Sequence, residues 1–207
     1  SDSVSLCADG VSSTNIRAVV FDSLGSSVPD GTPVSFSSSM GILIPGYAYT
    51  DSGEAVVLLR APTTPGIDTI IADAGGGIVG TTYVEFTAGA PANIVMSASP
   101  NVLPADGDTT AVVSGTVYDE NSNPVGAGFE VRFQTTLGSV DSLTYTDSTG
   151  SFSIIYHAGI TPGTAIIGAT SGSAHGQTYI DIIPTDAEEL YITIDPNELT
   201  ADSRSTA

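Results

Sequence analysis

Asp119-x-Asn121-x-Asn123 places three oxygen-bearing side chains at alternate positions, the spacing with which a calcium loop begins. No glycine follows at the sharp-turn position and no distal glutamate closes the loop, so the residues favour a hairpin turn, with calcium the weaker alternative. Asp9, Asp106 and Asp202 recur at one position of a repeating pattern, where a cation could stiffen a junction, but turn formation is again the simpler reading. His157 and His175 have no paired cysteine or repeated partner, and His175 is expected in a Gly/Ser loop. Ser and Thr are abundant, yet no Gly-x-Ser-x-Gly elbow or phosphate loop occurs, so catalysis is not expected. Tyr47, Tyr49, Tyr83, Tyr145 and Tyr179 could build a sugar-stacking face; Tyr49 and Tyr83 recur as Tyr145 and Tyr179, which favours a structural role in strands.

The 207 residues carry 23 acidic against 4 basic side chains, a net charge of −19, and all four cations are arginines. Such a surface repels phosphate backbones and anionic membranes, which excludes nucleic acid as a partner. No run reaches the length of a membrane-spanning helix, so direct membrane insertion is not expected. The single cysteine, Cys7, rules out an intrachain disulfide and is expected on an edge strand. Residue 1 is serine, consistent with a removed export signal or an internal piece.

The elements that must position these residues repeat. Val20-Phe21-Asp22, Val34-Ser35-Phe36 and Gly41 recur as Val117-Tyr118-Asp119, Val131-Arg132-Phe133 and Gly138, each 97 positions later. Short runs that alternate apolar and polar residues, cut by Gly, Pro and Asp turns, predict an all-β chain of two β-sandwiches. Gly89-Ala90-Pro91 is a short linker, so the two should stand end to end as a stiff rod. Ala105-Asp106-Gly107, Val117-Tyr118-Asp119, Asn123-Pro124-Val125, Val131-Arg132-Phe133, Leu137-Gly138 and Thr146-Asp147-Ser148-Thr149-Gly150 fall in order. Together they resemble the bacterial Ig-like repeats of invasin and intimin-type adhesins. The resemblance implies tandem Ig-like domains in an extracellular stalk, with receptor binding confined to terminal domains that have no counterpart here.

The ends of the chain depart from the repeat. Leu190, Ile192 and Ile194 stand 96 positions after Ile94, Met96 and Ala98, and Leu199 stands 96 after Leu103. The expected organisation is therefore an Ig-like domain over 1–88 that lacks its first strand and a complete one over 89–185. Residues 186–207 then hold the first strand of a further repeat. Either the chain is an excerpt of a longer array, or the tail of one copy completes the first domain of the next, through Leu190, Ile192, Ile194 and Leu199. The expected function is a non-enzymatic, exported structural protein of the cell surface, a stalk or a head-to-tail filament whose partners are its own copies or neighbouring repeats. The alternative is an adhesin or carbohydrate-binding module that recognises a host or cell-surface glycan or protein.

Overall fold

The computed structural model describes residues 4–185 and 190–193, and every element among them is a β-strand. Two domains follow one another. The first contains β1 (Val4–Cys7), β2 (Ser13–Val19), β3 (Pro33–Ser38), β4 (Ile42–Ile44), β5 (Tyr47–Tyr49), β6 (Glu54–Arg60), β7 (Gly66–Asp73) and β8 (Val79–Thr87). The second contains β9 (Asn93–Ser99), β10 (Val102–Pro104), β11 (Thr110–Tyr118), β12 (Glu130–Thr135), β13 (Ser139–Val140), β14 (Leu143–Tyr145), β15 (Ser151–His157), β16 (Gly163–Ser171) and β17 (Ala174–Ile183).

Each domain packs two sheets face to face. In the first, β1-β8-β7-β3-β5 faces β2-β6-β4; in the second, β10-β17-β16-β12-β14 faces β13-β15-β11-β9. Alternation sets the inner faces: in β6, Ala55, Val57 and Leu59 are buried while Val56, Leu58 and Arg60 are exposed. The matching strand β15 buries Phe152, Ile154 and Tyr156. The fold is thus a tandem of Ig-like sandwiches, as the pattern predicts. β2 ends at Val19, because Asp22 closes a turn by accepting from the Leu24 and Ser26 amides at 2.8 and 2.9 Å.

The domains differ at one edge. In the second, β9 pairs antiparallel with β11 from Val112↔Ser99 to Tyr118↔Asn93. In the first, β2 pairs with β6 alone, and no described strand lies along its other side. The core behind it is correspondingly less shielded: Ile16 and Val20 retain 8% and 7% exposure, against 0% for their counterparts Val113 and Val117.

A buried carboxylate shapes the first domain's β3–β4 turn. Asp68 is fully buried and accepts from Ser38 Oγ (2.7 Å), Ser39 N (2.8 Å), Ser39 Oγ (2.9 Å), Met40 N (3.0 Å) and Gly41 N (3.2 Å). The second domain has the small apolar Ala165 at this place in the strand, and there the Tyr156 hydroxyl reaches across the core to donate to Leu137 O at 2.9 Å.

Candidate functional site

The open edge of β2 borders a cavity of about 460 Å³ lined on one side by Ile16, Ala18 and Val20 and on the other by Ala72, Val79 and Gly80. In the second domain β9 fills this space. Ile94 presses on β17 so closely that a Cβ on Gly176 would lie 2.6 Å from Ile94 O and 2.8 Å from its Cβ. Gly80 is the counterpart of Gly176, since each faces an alanine across its hairpin (Ala72 and Ala169). A Cβ at Gly80 would meet nothing within 4 Å. The groove is therefore a sheet edge with unsatisfied backbone groups and a notch shaped for a large aliphatic side chain.

Of the predicted assembly residues, Leu190 and Ile192 are exposed at 83% and 82%, outside both cores. Ile194 and Leu199 lie outside the described residues, as does Asp202.

Asp119, Asn121 and Asn123 are brought together, and their loop sits at the junction of the two domains. The Asp119 carboxylate accepts from Gly89 N in the linker (2.9 Å), from Asn121 N (2.9 Å), Asn123 N (2.8 Å) and the Asn123 side-chain amide (3.0 Å). Asn121 Nδ2 donates to Ala8 O in the first domain at 3.3 Å, and Asn123 Nδ2 donates to Thr63 O at 2.9 Å. The arrangement turns the carboxylate inward on N–H donors and spends both side-chain amides on the neighbouring domain: it is a polar clasp. Ala92 N and Ser173 Oγ fasten the rest of the linker, bonding Tyr118 O at 2.8 Å and Pro91 O at 3.0 Å respectively. Nothing in the local pattern reveals this role, because the acceptors are 113 and 60 residues away in sequence.

The other candidates are dispersed. Asp9 and Asp106 each cap a turn, accepting from Val11 N, Ser12 N and Ser12 Oγ, and from Asp108 N, Thr109 N and Thr109 Oγ1. His157 and His175 are exposed on β15 and β17; His175 belongs to a strand rather than the expected loop, because the β16–β17 hairpin stays paired through Thr170↔His175. Tyr47 and Tyr49 stack edge-on at 6.1 Å on β5, while Tyr83, Tyr145 and Tyr179 are exposed on separate strands. Cys7 lies on edge strand β1, where burial and then the nearby Asp9 and Asp119 carboxylates raise its pKa and disfavour the thiolate.

These carboxylates link folding to pH. Hydrogen bonds from Ser12 and from Thr109 hold Asp9 and Asp106 at about 2, against an ordinary value of 3.8. Burial opposes the charge on Asp68 and Asp119, but their N–H and O–H donors outweigh it and both pKa values are lowered. Depressed folded values mean that the stabilisation is complete above the unfolded pKa near 4 and is lost as pH falls toward 2. Thermal unfolding followed by circular dichroism should show the melting temperature dropping between pH 4 and pH 2; a value that holds steady down to pH 2 would contradict the linkage.

Residues 90–182 match the family described as invasin, domain 3. The second domain is an invasin-type bacterial Ig-like domain. No curated protein matches the chain. Among solved structures, the chain is similar to InvD of Yersinia pseudotuberculosis, with 19% identity over 91% of this chain and 58% of that one, at a TM-score of 0.64. FdeC, described as an Escherichia coli adhesin, shares 17% identity over 89% of this chain and 63% of its own, at a TM-score of 0.63. The D0–D1 domain of intimin is 26% identical over 87% of this chain and 95% of that one, with a TM-score of 0.40. The chain thus spans about three fifths of the InvD and FdeC structures. In the invasin-type domain the first strand is β9, an element with no counterpart among the described residues of the first domain.

Proposed function

We propose that the protein is a non-enzymatic building block of a cell-surface stalk or filament, in which residues 187–207 of one copy supply the missing strand of the first domain of the next. The match to an invasin domain supports a cell-surface, adhesin-type setting. The observation that carries the assembly reading is the contrast between Gly176, packed under Ile94, and Gly80, facing open space. Leu190 occupies the repeat position of Ile94, so the proposed register seats Leu190 in the Gly80 notch, with Ile192 and Ile194 following Met96 and Ala98 into the core.

Side-chain volumes support the fit. Phe152, which packs edge-on against Phe133 in the second domain, is replaced by Ala55 in the first, leaving room for Ile192 and Ile194 where the second domain has Met96 and Ala98. One point requires adjustment. A Cβ at Gly115 would lie 2.5 Å from Val95 O, and the first domain has Ala18 there, so the incoming strand must sit at least about half an ångström farther out than β9 does. Burying each large aliphatic side chain contributes about 1.5–3 kcal/mol, and pairing with β2 satisfies its edge. Because the contact joins two different surfaces, it does not close and propagates a filament.

The test uses two complementary variants. Gly80→Leu fills the notch without backbone strain, and deletion of 187–207 removes the donor. The full chain should polymerise in light scattering, and each variant alone should stay monomeric. A mixture of the two should stop at a one-to-one dimer, the tail of Gly80→Leu entering the open groove of the deleted chain. Polymers of the deleted chain as long as the parent's, or a parent that remains monomeric, would remove the proposal.

A further inference from the structure

Resting on that head-to-tail reading, we infer that Asp22 is the seat of the linker between copies. The backbone amide of Thr185 of one copy donates to the Asp22 carboxylate of the next, without the two side-chain amide bonds that join the domains within a chain. The loop at Asp22 has the hydrogen-bond pattern of the loop at Asp119. Asp22 Oδ1 accepts from Leu24 N and Ser26 N at 2.8 and 2.9 Å, as Asp119 Oδ1 does from Asn121 N and Asn123 N at 2.9 and 2.8 Å. Asp22 N bonds Ser26 O as Asp119 N bonds Asn123 O. Leu24 and Ser26 therefore occupy the places of Asn121 and Asn123.

The two loops differ in what the second carboxylate oxygen holds. Asp119 Oδ2 accepts from Gly89 N at 2.9 Å and from Asn123 Nδ2 at 3.0 Å. Asp22 is exposed, and its Oδ2 has no partner among the described residues. The donor half is spare as well. Thr185 stands 96 positions after Gly89, is exposed, and its amide has no partner among the described residues. The spans leading out of the two domains agree: Ala8 N bonds Thr87 O and Ala105 N bonds Ile183 O, each at 2.8 Å. Six residues then separate Thr87 from Ile94 (88–93), and six separate Ile183 from Leu190 (184–189). A donor strand that takes the place of β9 in the next copy therefore brings Thr185 to the place of Gly89, beside Asp22. The larger side chain fits: Gly89 lies outside the left-handed region, and a Cβ there would be 3.5 Å from Asp119 Cβ and 3.7 Å from Cys7 Sγ, ordinary contact distances.

The side-chain clasp does not carry over. Asn121 and Asn123 donate to the carbonyls of Ala8 and Thr63, whose places in the second domain, 97 positions on, are taken by Ala105 and Ile160. Leu24 comes opposite Ala105 and Ser26 opposite Ile160. Leu24 has no polar side-chain atom, and the Ser26 hydroxyl sits on a shorter stem than an asparagine amide. A main-chain bond to Asp22 makes no demand on the linker's side chain, whereas the clasp needs two amides. The joint between copies is thus held by fewer bonds than the joint within one.

The experiment follows hydrogen exchange at the Thr185 amide in the full chain, with polymerisation monitored in parallel by light scattering. The amide should be protected in polymers and exchange freely in the monomeric Gly80→Leu chain. It should also lose protection in Asp22→Asn, which leaves one oxygen where the carboxylate has two. Asp22→Asn should raise the concentration needed for assembly about tenfold. Leu24→Asn combined with Ser26→Asn grafts the missing amides onto an exposed loop and should lower that concentration. Polymers whose Thr185 amide exchanges freely, or stays equally protected in Asp22→Asn, would overturn the Asp22 seat and leave donor-strand assembly standing. A parent chain that forms no polymers would instead overturn the donor-strand reading and this contact with it.

Discussion

Asp68→Ala should cost the first domain about 3–5 kcal/mol, which approaches the total stability of many single domains. The carboxylate is fully buried and holds five donors, two hydroxyls on Ser38 and Ser39 and the amides of Ser39, Met40 and Gly41. Alanine removes every acceptor at once and leaves those donors facing a vacated pocket. The damage is local to one sandwich, because the second domain has Ala165 at this place and organises its turn through Tyr156. Urea unfolding should therefore show an early transition for the first domain and an unmoved one for the second. A loss below about 1 kcal/mol would mean that water replaces the carboxylate, contrary to its burial. Asp68→Asn is the finer probe: it keeps the volume and one acceptor, so its cost should fall between wild type and alanine.

Asp119→Ala should weaken the second domain by about 2–4 kcal/mol and also uncouple the two domains. Its carboxylate gathers the amides of Gly89, Asn121 and Asn123, and so aims Asn121 and Asn123 at Ala8 and Thr63. Asp22→Ala is the control, since Asp22 closes a loop of the same hydrogen-bond pattern that makes no interdomain bond among the described residues, and it should cost only about 1 kcal/mol, the ordinary value of a turn cap. Hydrogen exchange gives the second readout: the Gly89 amide should lose protection in Asp119→Ala and keep it in Asp22→Ala. Equal costs for the two substitutions would show that the interdomain bonds contribute nothing to stability.

These expectations separate what local patterning reveals from what it hides. Two sandwiches, the strands that alternate at Ala55-Val57-Leu59 and Phe152-Ile154-Tyr156, and the unmatched ends of the repeat are all legible along the chain. Alternation and turn chemistry act over a few residues, and the 97-residue offset repeats them. The Asp119 loop was legible as a turn and, more weakly, as the start of a calcium loop. Its oxygens and amides instead serve the junction. That outcome depends on where Ala8 and Thr63 fall after two domains have packed.

The residues by themselves determined the Ig-like architecture and the 96-residue correspondence of Leu190, Ile192 and Ile194 with Ile94, Met96 and Ala98. Only the tertiary structure decided that Gly80 faces a void where Gly176 faces Ile94, that Asp68 holds a turn nearly thirty residues away, and that Asn121 and Asn123 reach across a domain boundary. The physical reason is range. Side-chain period and turn propensity are written in neighbours along the chain, whereas the space beside a glycine and the partner of a buried polar group are set by segments that meet only when the sheets close.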